Sequence, residues 1–302
     1  MEENMDTSNY KQTEFGLYVP AHIADKLQHL DMTTVALYEA HLKNAGKAES
    51  TIQKYTRFAM LFTIFLGDHF LSVSYVRAWL DIMKKTHHIK TVNIAVSALN
   101  GLFKYLGRLD CVVDQFPYQE PQYLDDDRYL EKKDLDKLLA VADDRMKTMI
   151  LTFSGTGIRV SELRFFTVES VRTSRVTVDN KGKTRVVFID PVTRTVILDY
   201  CEKHGINSGI IFHNRLGAAL NRTYIWRCLK KLAEKAGVTL SKVFPHNLRH
   251  LFAVERFSID RDIEALRLDM GHSMIATTQR YLKETSGKHF ERVMERGRGI
   301  AI

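Results

Sequence analysis

Two arginines in short signature segments could together bind a phosphate group. Arg159 stands in Thr156-Gly-Ile-Arg159-Val-Ser-Glu162, and Arg249 stands between two histidines in His246-Asn-Leu-Arg249-His250. A guanidinium is a planar, permanently charged fork that matches phosphate oxygens, so two of them could clamp one phosphodiester. Arg159 could instead form a surface salt bridge with Glu162, three residues further on. If Arg159 binds phosphate, we expect Glu162 to hold that arginine or a nearby imidazole in place.

Three of the candidate side chains share one face of a predicted helix. His246, Arg249 and His250 stand at positions i, i+3 and i+4, which a helix brings to the same side. A zinc protease also contains His-x-x-x-His, but it needs a glutamate next to the first histidine as its base. Asn247 occupies that position and no third ligand is evident, so we expect no metal site.

A third histidine and a tyrosine complete the candidate set. Gly271-His272 is followed nine residues later by Tyr281. Taken alone, His272 is typical of a capping or core histidine, and a tyrosine at helical spacing is typical of a core. A free phenol has a pKa of roughly 10, so Tyr281 would need nearby cations or a base to act as a nucleophile at neutral pH. Phosphodiester exchange requires such a nucleophile and positive charge on the non-bridging oxygens.

The charge distribution favours a polyanionic partner. The formal net charge is +8, from 44 Lys and Arg against 36 Asp and Glu. Residues 127–302 carry a net charge of +11 and residues 33–112 carry +5, whereas residues 1–32 and 113–126 are acidic. Two basic blocks joined by an acidic strip indicate nucleic acid first, although many basic proteins bind none.

Length and composition exclude several classes of protein. The chain has 302 residues, 45% hydrophobic and 26% charged, which is typical of a globular protein with two domains. Cys111, Cys201 and Cys228 are too widely spaced for a disulfide framework or a CxxC zinc pair. The polar N-terminus is unlike a signal peptide, and the apolar run 58–66 is too short to span a bilayer. We therefore expect a cytoplasmic protein.

The elements that must position these residues form two predicted domains. After an N-terminal arm at residues 1–32, residues 33–112 contain four amphipathic segments that predict a compact helical domain. Residues 113–126 hold two prolines and no basic residue, which predicts a linker. The hydrophobic pattern of residues 127–302 predicts a mostly helical second domain with one antiparallel hairpin. That hairpin turns at Asn180–Lys183, and a helical pattern runs from Pro191 to the C-terminus.

In order and spacing, these segments resemble the signature of the tyrosine recombinases, also called phage-type integrases. The resemblance covers about residues 33–285 and rests on Thr156–Leu163, the hairpin turn, His246–His250, and Gly271-His272 with Tyr281. It implies a mainly α fold: a SAM-like helical core-binding domain, then a mixed catalytic domain with a small antiparallel hairpin. The two domains would close around DNA.

The same resemblance implies a role for each site residue. The residues that would act on the scissile phosphate are Arg159, Lys181, His246, Arg249, His272 and the nucleophile Tyr281. The arginines would clamp the phosphate, and His246 and His272 would hydrogen-bond to it. Glu162 would support the site, and His250 would be a packed, orienting residue.

A hairpin lysine would be the general acid that protonates the departing 5′ oxygen. A lysine near other cations has a depressed pKa, which suits this task. Lys181 matches the usual family position and is favoured, whereas Lys183 and Arg185 stand where the family often has further basic residues. The turn is one residue shorter than the common form, so Lys183 stays the alternative and otherwise supports the site. Phe188 replaces a usual proline, and Leu251 replaces a small hydroxyl residue.

The implied activity is site-specific DNA recombination or integration. Tyr281 would form a 3′-phosphotyrosine and release a 5′ hydroxyl, and because the ester keeps the bond energy, neither ATP, a metal nor another cofactor is needed. The implied partners are double-stranded recombination sites, a tetramer of this chain on DNA, and accessory DNA-bending or directionality proteins. Such enzymes are typical of mobile elements. A type IB topoisomerase uses the same residue set, and a catalytically silent DNA-binding regulator would share the fold. The separate helical N-terminal half and modest length favour the recombinase.

Overall fold

The computed structural model describes residues 10–12, 18–20, 29–120, 128–180, 182–283 and 294–295. The chain divides into two compact units, residues 1–120 and 121–302, and each contains its own hydrophobic core. In these residues, no helix is both long and apolar enough to cross a membrane. The predicted fold class, mainly helical with a small antiparallel hairpin in the second half, is confirmed. The functional roles of the two domains stay predictions.

The first unit is built around four amphipathic helices. They are α1 (Met32–Asn44), α2 (Glu49–Leu66), α3 (Val73–Thr86) and α4 (Ile89–Tyr105). Phe62 of α2 is fully buried and meets Trp79 and Phe103 edge-on, with ring centroids 5.6 and 5.9 Å apart. These aromatic contacts join three helices in one core. Within the predicted arm, β1 (Tyr10–Gln12) pairs antiparallel with β2 (Tyr18–Pro20), a ladder that the periodicity did not indicate.

The start of the predicted linker is attached to α4. Asn100 donates its side-chain amide to the Val113 carbonyl at 2.7 Å and accepts the Val113 N–H at 3.1 Å. Two helical turns earlier, Asn93 pairs in the same way with both backbone groups of Phe116, at 2.9 and 2.8 Å. Because each asparagine satisfies a donor and an acceptor of the backbone, residues 113–116 belong structurally to the first unit.

The second unit surrounds a central helix. Its helices are α5 (Lys132–Val141), α6 (Asp144–Thr156), α7 (Val168–Arg172), α8 (Pro191–Lys203), α9 (Arg222–Ala236), α10 (Pro245–Asp260), α11 (Ile263–Met270) and α12 (Ile275–Gln279). The carboxylate of Asp143 caps the start of α6 by accepting the Met146 N–H at 2.7 Å. Helix α6 packs against α8 and α10. This contact brings two of the signature segments together, since one ends α6 and another begins α10.

The predicted hairpin is formed, with a tighter turn than expected. Strand β3 (Arg175–Asn180) pairs antiparallel with β4 (Lys183–Phe188), and Asn180 stands opposite Lys183. Asn180 and Lys183, both predicted to lie in the turn, are therefore paired at the ends of the two strands. Gly182 beside Lys183 has φ +73°, the positive φ that tight hairpin connections favour.

The chain between α8 and α9 is not helical, so the helical pattern predicted from Pro191 onward is wrong here. Gly205, Gly209 and Gly217 all have positive φ, a conformation in which helices end. The Asn214 side chain accepts two backbone N–H groups of the same segment, which stabilises a turn in place of a helix.

Candidate active site

A buried carboxylate holds two arginines at the centre of the site. Glu162 is fully buried, and its oxygens accept the Arg159 backbone N–H at 2.8 Å, Nη1 of Arg159 at 3.0 Å and Nη2 of Arg185 at 2.9 Å. Burial raises the pKa of Glu162, but the Arg159 N–H and the two guanidinium charges outweigh it and hold the pKa below its usual range. Glu162 is therefore ionised at neutral pH, and it holds guanidinium groups, not an imidazole.

Arg249 is a buried cation whose hydrogen-bond acceptors are mostly backbone carbonyls. Its side chain is 1% exposed, and it donates to the carbonyls of Gly157 and Met270 and to Nε2 of His272. Burial and the nearby charge of Arg159 lower the pKa of Arg249 to about 10, which still leaves it protonated at neutral pH. Two guanidiniums that repel each other favour an anion between them.

Two glycines allow the close approaches on which this arrangement depends. Gly157 ends α6 with φ +61°, and a Cβ at this position would overlap the ring of Phe252. Gly271 ends α11 with φ +62°, and a Cβ there would overlap the side chain of Arg185. L-residues other than glycine rarely adopt this backbone conformation, so both motif glycines have a structural reason.

The ring of His272 is buried and hydrogen-bonded at both nitrogens. Nε2 lies 3.0 Å from Nη2 of Arg249, and Nδ1 lies 3.0 Å from the hydroxyl of Thr278. Burial, followed by the charges of Arg249, Arg159 and Arg185, lowers the pKa of His272 to about 4. The imidazole is therefore neutral at physiological pH.

Tyr281 lies among three histidines. Its ring centroid is 5.3 Å from that of His246, 5.8 Å from that of His250 and 5.3 Å from that of His272. The side chain is half-buried, and it interacts electrostatically with the guanidinium of Arg249. A nearby cation stabilises a hydroxyl oxygen that develops negative charge.

The two histidines of α10 have different surroundings. His246 is exposed, and partial desolvation together with the charges of Arg249 and Arg128 lowers its pKa. His250 is buried, and its ring lies 4.2 Å from that of Tyr129 and packs on Tyr281. This packing is what an orienting residue would show.

The structure describes the side chain of neither hairpin lysine. Lys181 lies outside the described residues. The backbone of Lys183 is the first residue of β4, but its side chain also lies outside the described part. The choice between them as general acid stays a prediction.

Sequence analysis missed the roles of two residues. Arg185 binds Glu162 and also donates to the Asp269 carbonyl at 2.8 Å, so it joins β4 to the end of α11. The sequence could have indicated that Arg185 faces inward, because strand alternation puts it on the same face as the buried Val187. Nothing in the sequence singled out Thr278, the partner of His272.

Apart from Lys181 and the side chain of Lys183, the structure brings the predicted residues to one place. They are Arg159, Glu162, His246, Arg249, His250, His272 and Tyr281. Within the ranges that the structure describes, no group of three or more His, Cys, Asp or Glu could hold a metal ion.

Comparison with known proteins supports the same family. The model of the phage integrase family matches residues 128–287. Tyrosine recombinase XerA of Pyrococcus furiosus is 29% identical over 269 residues, which cover 86% of this chain and 92% of the relative. The resemblance to tyrosine recombinases drawn from the four segments is confirmed.

Two solved structures share the fold. A structure of XerH site-specific recombinase bound to palindromic difH substrate, a post-cleavage complex, has a TM-score of 0.64 at 18% identity and covers 91% of this chain and 90% of its own. A lambda integrase tetramer bound to a Holliday junction has a TM-score of 0.70 at 15% identity and covers 86% and 79%.

Proposed function

We propose, from the premise that this chain belongs to the phage integrase family and is a site-specific DNA recombinase, that Tyr281 cuts and rejoins the DNA strands. The observation that carries this assignment is the position of the Tyr281 ring. Its centroid lies 5.3 to 5.8 Å from those of three imidazole rings, and the side chain interacts electrostatically with the buried Arg249. The positive charge of Arg249 stabilises the negative charge that a phenol oxygen develops when it attacks at neutral pH.

The scissile phosphate would bind between Arg159 and Arg249. The side chain of Arg159 is 34% exposed, so N–H groups that Glu162 does not use face solvent. The buried Nε of Arg249 has no hydrogen-bond partner, and an unsatisfied buried donor calls for an acceptor. A non-bridging phosphate oxygen would supply that acceptor, and His246 and His272 would add hydrogen bonds to the same phosphate.

The reaction we propose is a reversible transesterification. The Tyr281 oxygen bonds to phosphorus, the bond from phosphorus to the 5′ oxygen breaks, and a 3′-phosphotyrosine forms. The phenol proton leaves through a neutral imidazole, and a hairpin lysine, Lys181 by preference, protonates the departing 5′ oxygen. A 5′ hydroxyl from a second duplex then reverses the step. The phosphotyrosyl ester stores the bond energy, so this sequence of steps needs no ATP, metal or cofactor.

The expected partners are duplex recombination sites and further copies of this chain. Exchange between two duplexes needs four cleavages, which supports a tetramer on DNA like that of the lambda integrase structure. The basic character of residues 33–112 and 127–302 supports contact with phosphates along the duplex. Accessory proteins, a mobile element as the source, and a cytoplasmic location stay predictions.

A covalent trapping experiment tests the nucleophile. Duplexes would be selected from a randomised pool by binding to the Tyr281→Phe protein, then rebuilt with a nick that lets the cleaved end diffuse away. We expect the wild-type chain to form a complex with this DNA that survives denaturant, and Tyr281→Phe to form none. Tyr200→Phe is the matched control, because Tyr200 packs on Phe212 with ring centroids 6.2 Å apart and its ring is retained.

The outcomes separate the alternative functions. A covalent complex that persists in Tyr281→Phe would contradict the assignment of the nucleophile. Relaxation of supercoiled plasmids that lack the selected site would indicate a topoisomerase, and site-specific binding without any covalent complex would indicate a silent regulator.

The general acid can be tested with a leaving group that needs no proton. In a substrate whose scissile 5′ oxygen is replaced by sulfur, a thiolate departs unprotonated. We expect Lys181→Ala to cleave the ordinary substrate slowly and the sulfur substrate at the wild-type rate. Rescue of Lys183→Ala in place of Lys181→Ala would assign the acid to Lys183.

A further inference from the structure

The hydroxyl of Thr278 connects the His272 ring to the segment that carries the candidate nucleophile. Thr278 is fully buried, and its oxygen lies 3.0 Å from Nδ1 of His272. Its carbonyl accepts the Tyr281 N–H at 2.9 Å. Thr278 is therefore fixed in place by the same short turn that positions Tyr281.

The partners of His272 determine which of its nitrogens carries the proton. Since the guanidinium of Arg249 has only donors, Nε2 of His272 must accept the hydrogen bond from it. The neutral imidazole then carries its proton on Nδ1 and donates to Thr278. In this state Nε2 has no proton to offer a phosphate, whereas the proposed role of His272 is to donate one hydrogen bond to it.

We propose that Thr278 is a positioning residue whose hydroxyl lets His272 exchange its proton from Nδ1 to Nε2 when the phosphate binds. The phosphate would take the Arg249 guanidinium, which frees Nε2 to carry a proton and donate a hydrogen bond. Nδ1 would then accept from the Thr278 hydroxyl. The proton leaves Nδ1 and arrives at Nε2 through solvent, so the charge of the ring does not change. The inference rests on the proposed function, because it takes His272 as a phosphate donor.

A hydroxyl is the group that this exchange requires. Hydroxyls both donate and accept, whereas a carbonyl or carboxylate only accepts and would hold the proton on Nδ1. In the free protein the doubly protonated ring is no alternative at neutral pH, since burial and the neighbouring charges hold the pKa of His272 at about 4. Thr278 thus supports both neutral tautomers without moving.

Nitrogen NMR on the full chain reports the tautomer directly. The Tyr281→Phe protein, which cannot cut DNA, would be labelled with ¹⁵N-histidine and measured free and bound to a half-site duplex selected as described above. Comparison with His272→Gln would assign the signals of His272. We expect Nε2 of His272 to be unprotonated in the free protein and protonated on DNA. A proton on Nε2 before DNA is added, or one kept on Nδ1 afterwards, would overturn the inference.

Cleavage rates provide the second test. Thr278→Val keeps the shape but removes the hydroxyl, and we expect it to lower the rate of covalent complex formation by about tenfold or more, with unchanged duplex binding. Thr278→Ser should retain the rate to within about threefold, and Thr277→Val is the matched control beside it. If Thr278→Val forms the covalent complex as fast as wild type, the inference about Thr278 is refuted but the proposed function is not. If wild type forms no covalent complex, the proposed function itself is refuted. If Thr278→Val does not fold, the spectra of the labelled protein decide.

Discussion

Glu162→Gln would remove the one negative charge between two arginines while keeping the size of the side chain. The carboxylate accepts from Arg159 and Arg185, and its own side chain is 1% exposed. In the variant, the neutral amide would leave two guanidiniums near each other without compensation. Arg185 is affected more, because its side chain is only 15% exposed, whereas that of Arg159 is 34% exposed and partly solvated.

The expected loss follows from the burial of the pair. Removing one partner of a buried ion pair costs about 3–5 kcal/mol, because the remaining charge is buried and unpaired. Because solvent partly screens Arg159, we expect a loss of unfolding free energy at the lower end of this range, about 3 kcal/mol. For a unit of this size, about 2–4 °C is lost per kcal/mol, so the melting temperature of the second unit should fall by roughly 6–12 °C.

Calorimetry of the whole chain can separate the two units. The transition of the second unit should move in Glu162→Gln, and that of the first should not. Glu255→Gln is the matched control, since Glu255 is exposed on α10 and the charge change is the same. The double variant Glu162→Gln/Arg185→Met should lose less unfolding free energy than the sum of the losses in the two single variants, because the unpaired charge is gone. A transition within 1 °C of the Glu255→Gln control would refute the reasoning.

The same pair predicts a pH dependence. The folded state lowers the pKa of Glu162 below its ordinary value of 4.5, so the carboxylate stabilises the fold at pH above 4.5 and loses this contribution as the pH falls. The difference in unfolding free energy between wild type and Glu162→Gln should therefore narrow on acidification. A difference that stays constant from pH 7 to pH 3 would show that the charge is not responsible.

Two further predictions concern the backbone. Gly157→Ala should lower the unfolding free energy of the second unit by about 1–3 kcal/mol, because φ at this residue is +61° and a Cβ would overlap Phe252. Urea denaturation measures this change, and an unchanged midpoint of the urea transition would contradict the prediction. Asn93→Leu removes both hydrogen bonds to Phe116, about 2 kcal/mol in all, so proteolysis within residues 113–116 should quicken roughly thirtyfold, as measured by mass spectrometry. Equal cleavage rates would show that Asn93 does not hold the segment.

The sequence alone determined the features that follow from local periodicity. His246, Arg249 and His250 share a helix face because their spacing matches the helical repeat, and the structure has them on α10. Alternation along β4 likewise puts Arg185 on the inward face, although its partner could not be known. Family membership was also within reach, because four short segments kept their order and spacing.

Only the tertiary structure decided which groups these side chains meet. Arg249 donates to the Gly157 carbonyl, 92 residues away, and Glu162 pairs with Arg185 from the hairpin instead of with an imidazole. Such contacts depend on where α6 and α11 end and which carbonyls they leave open, and packing between helices sets both. The proton on His272 was equally hidden, since it depends on a guanidinium, which only donates, at Nε2 and on the Thr278 hydroxyl at Nδ1. A local pattern can name a chemical group, but its hydrogen-bond partners come from distant parts of the chain.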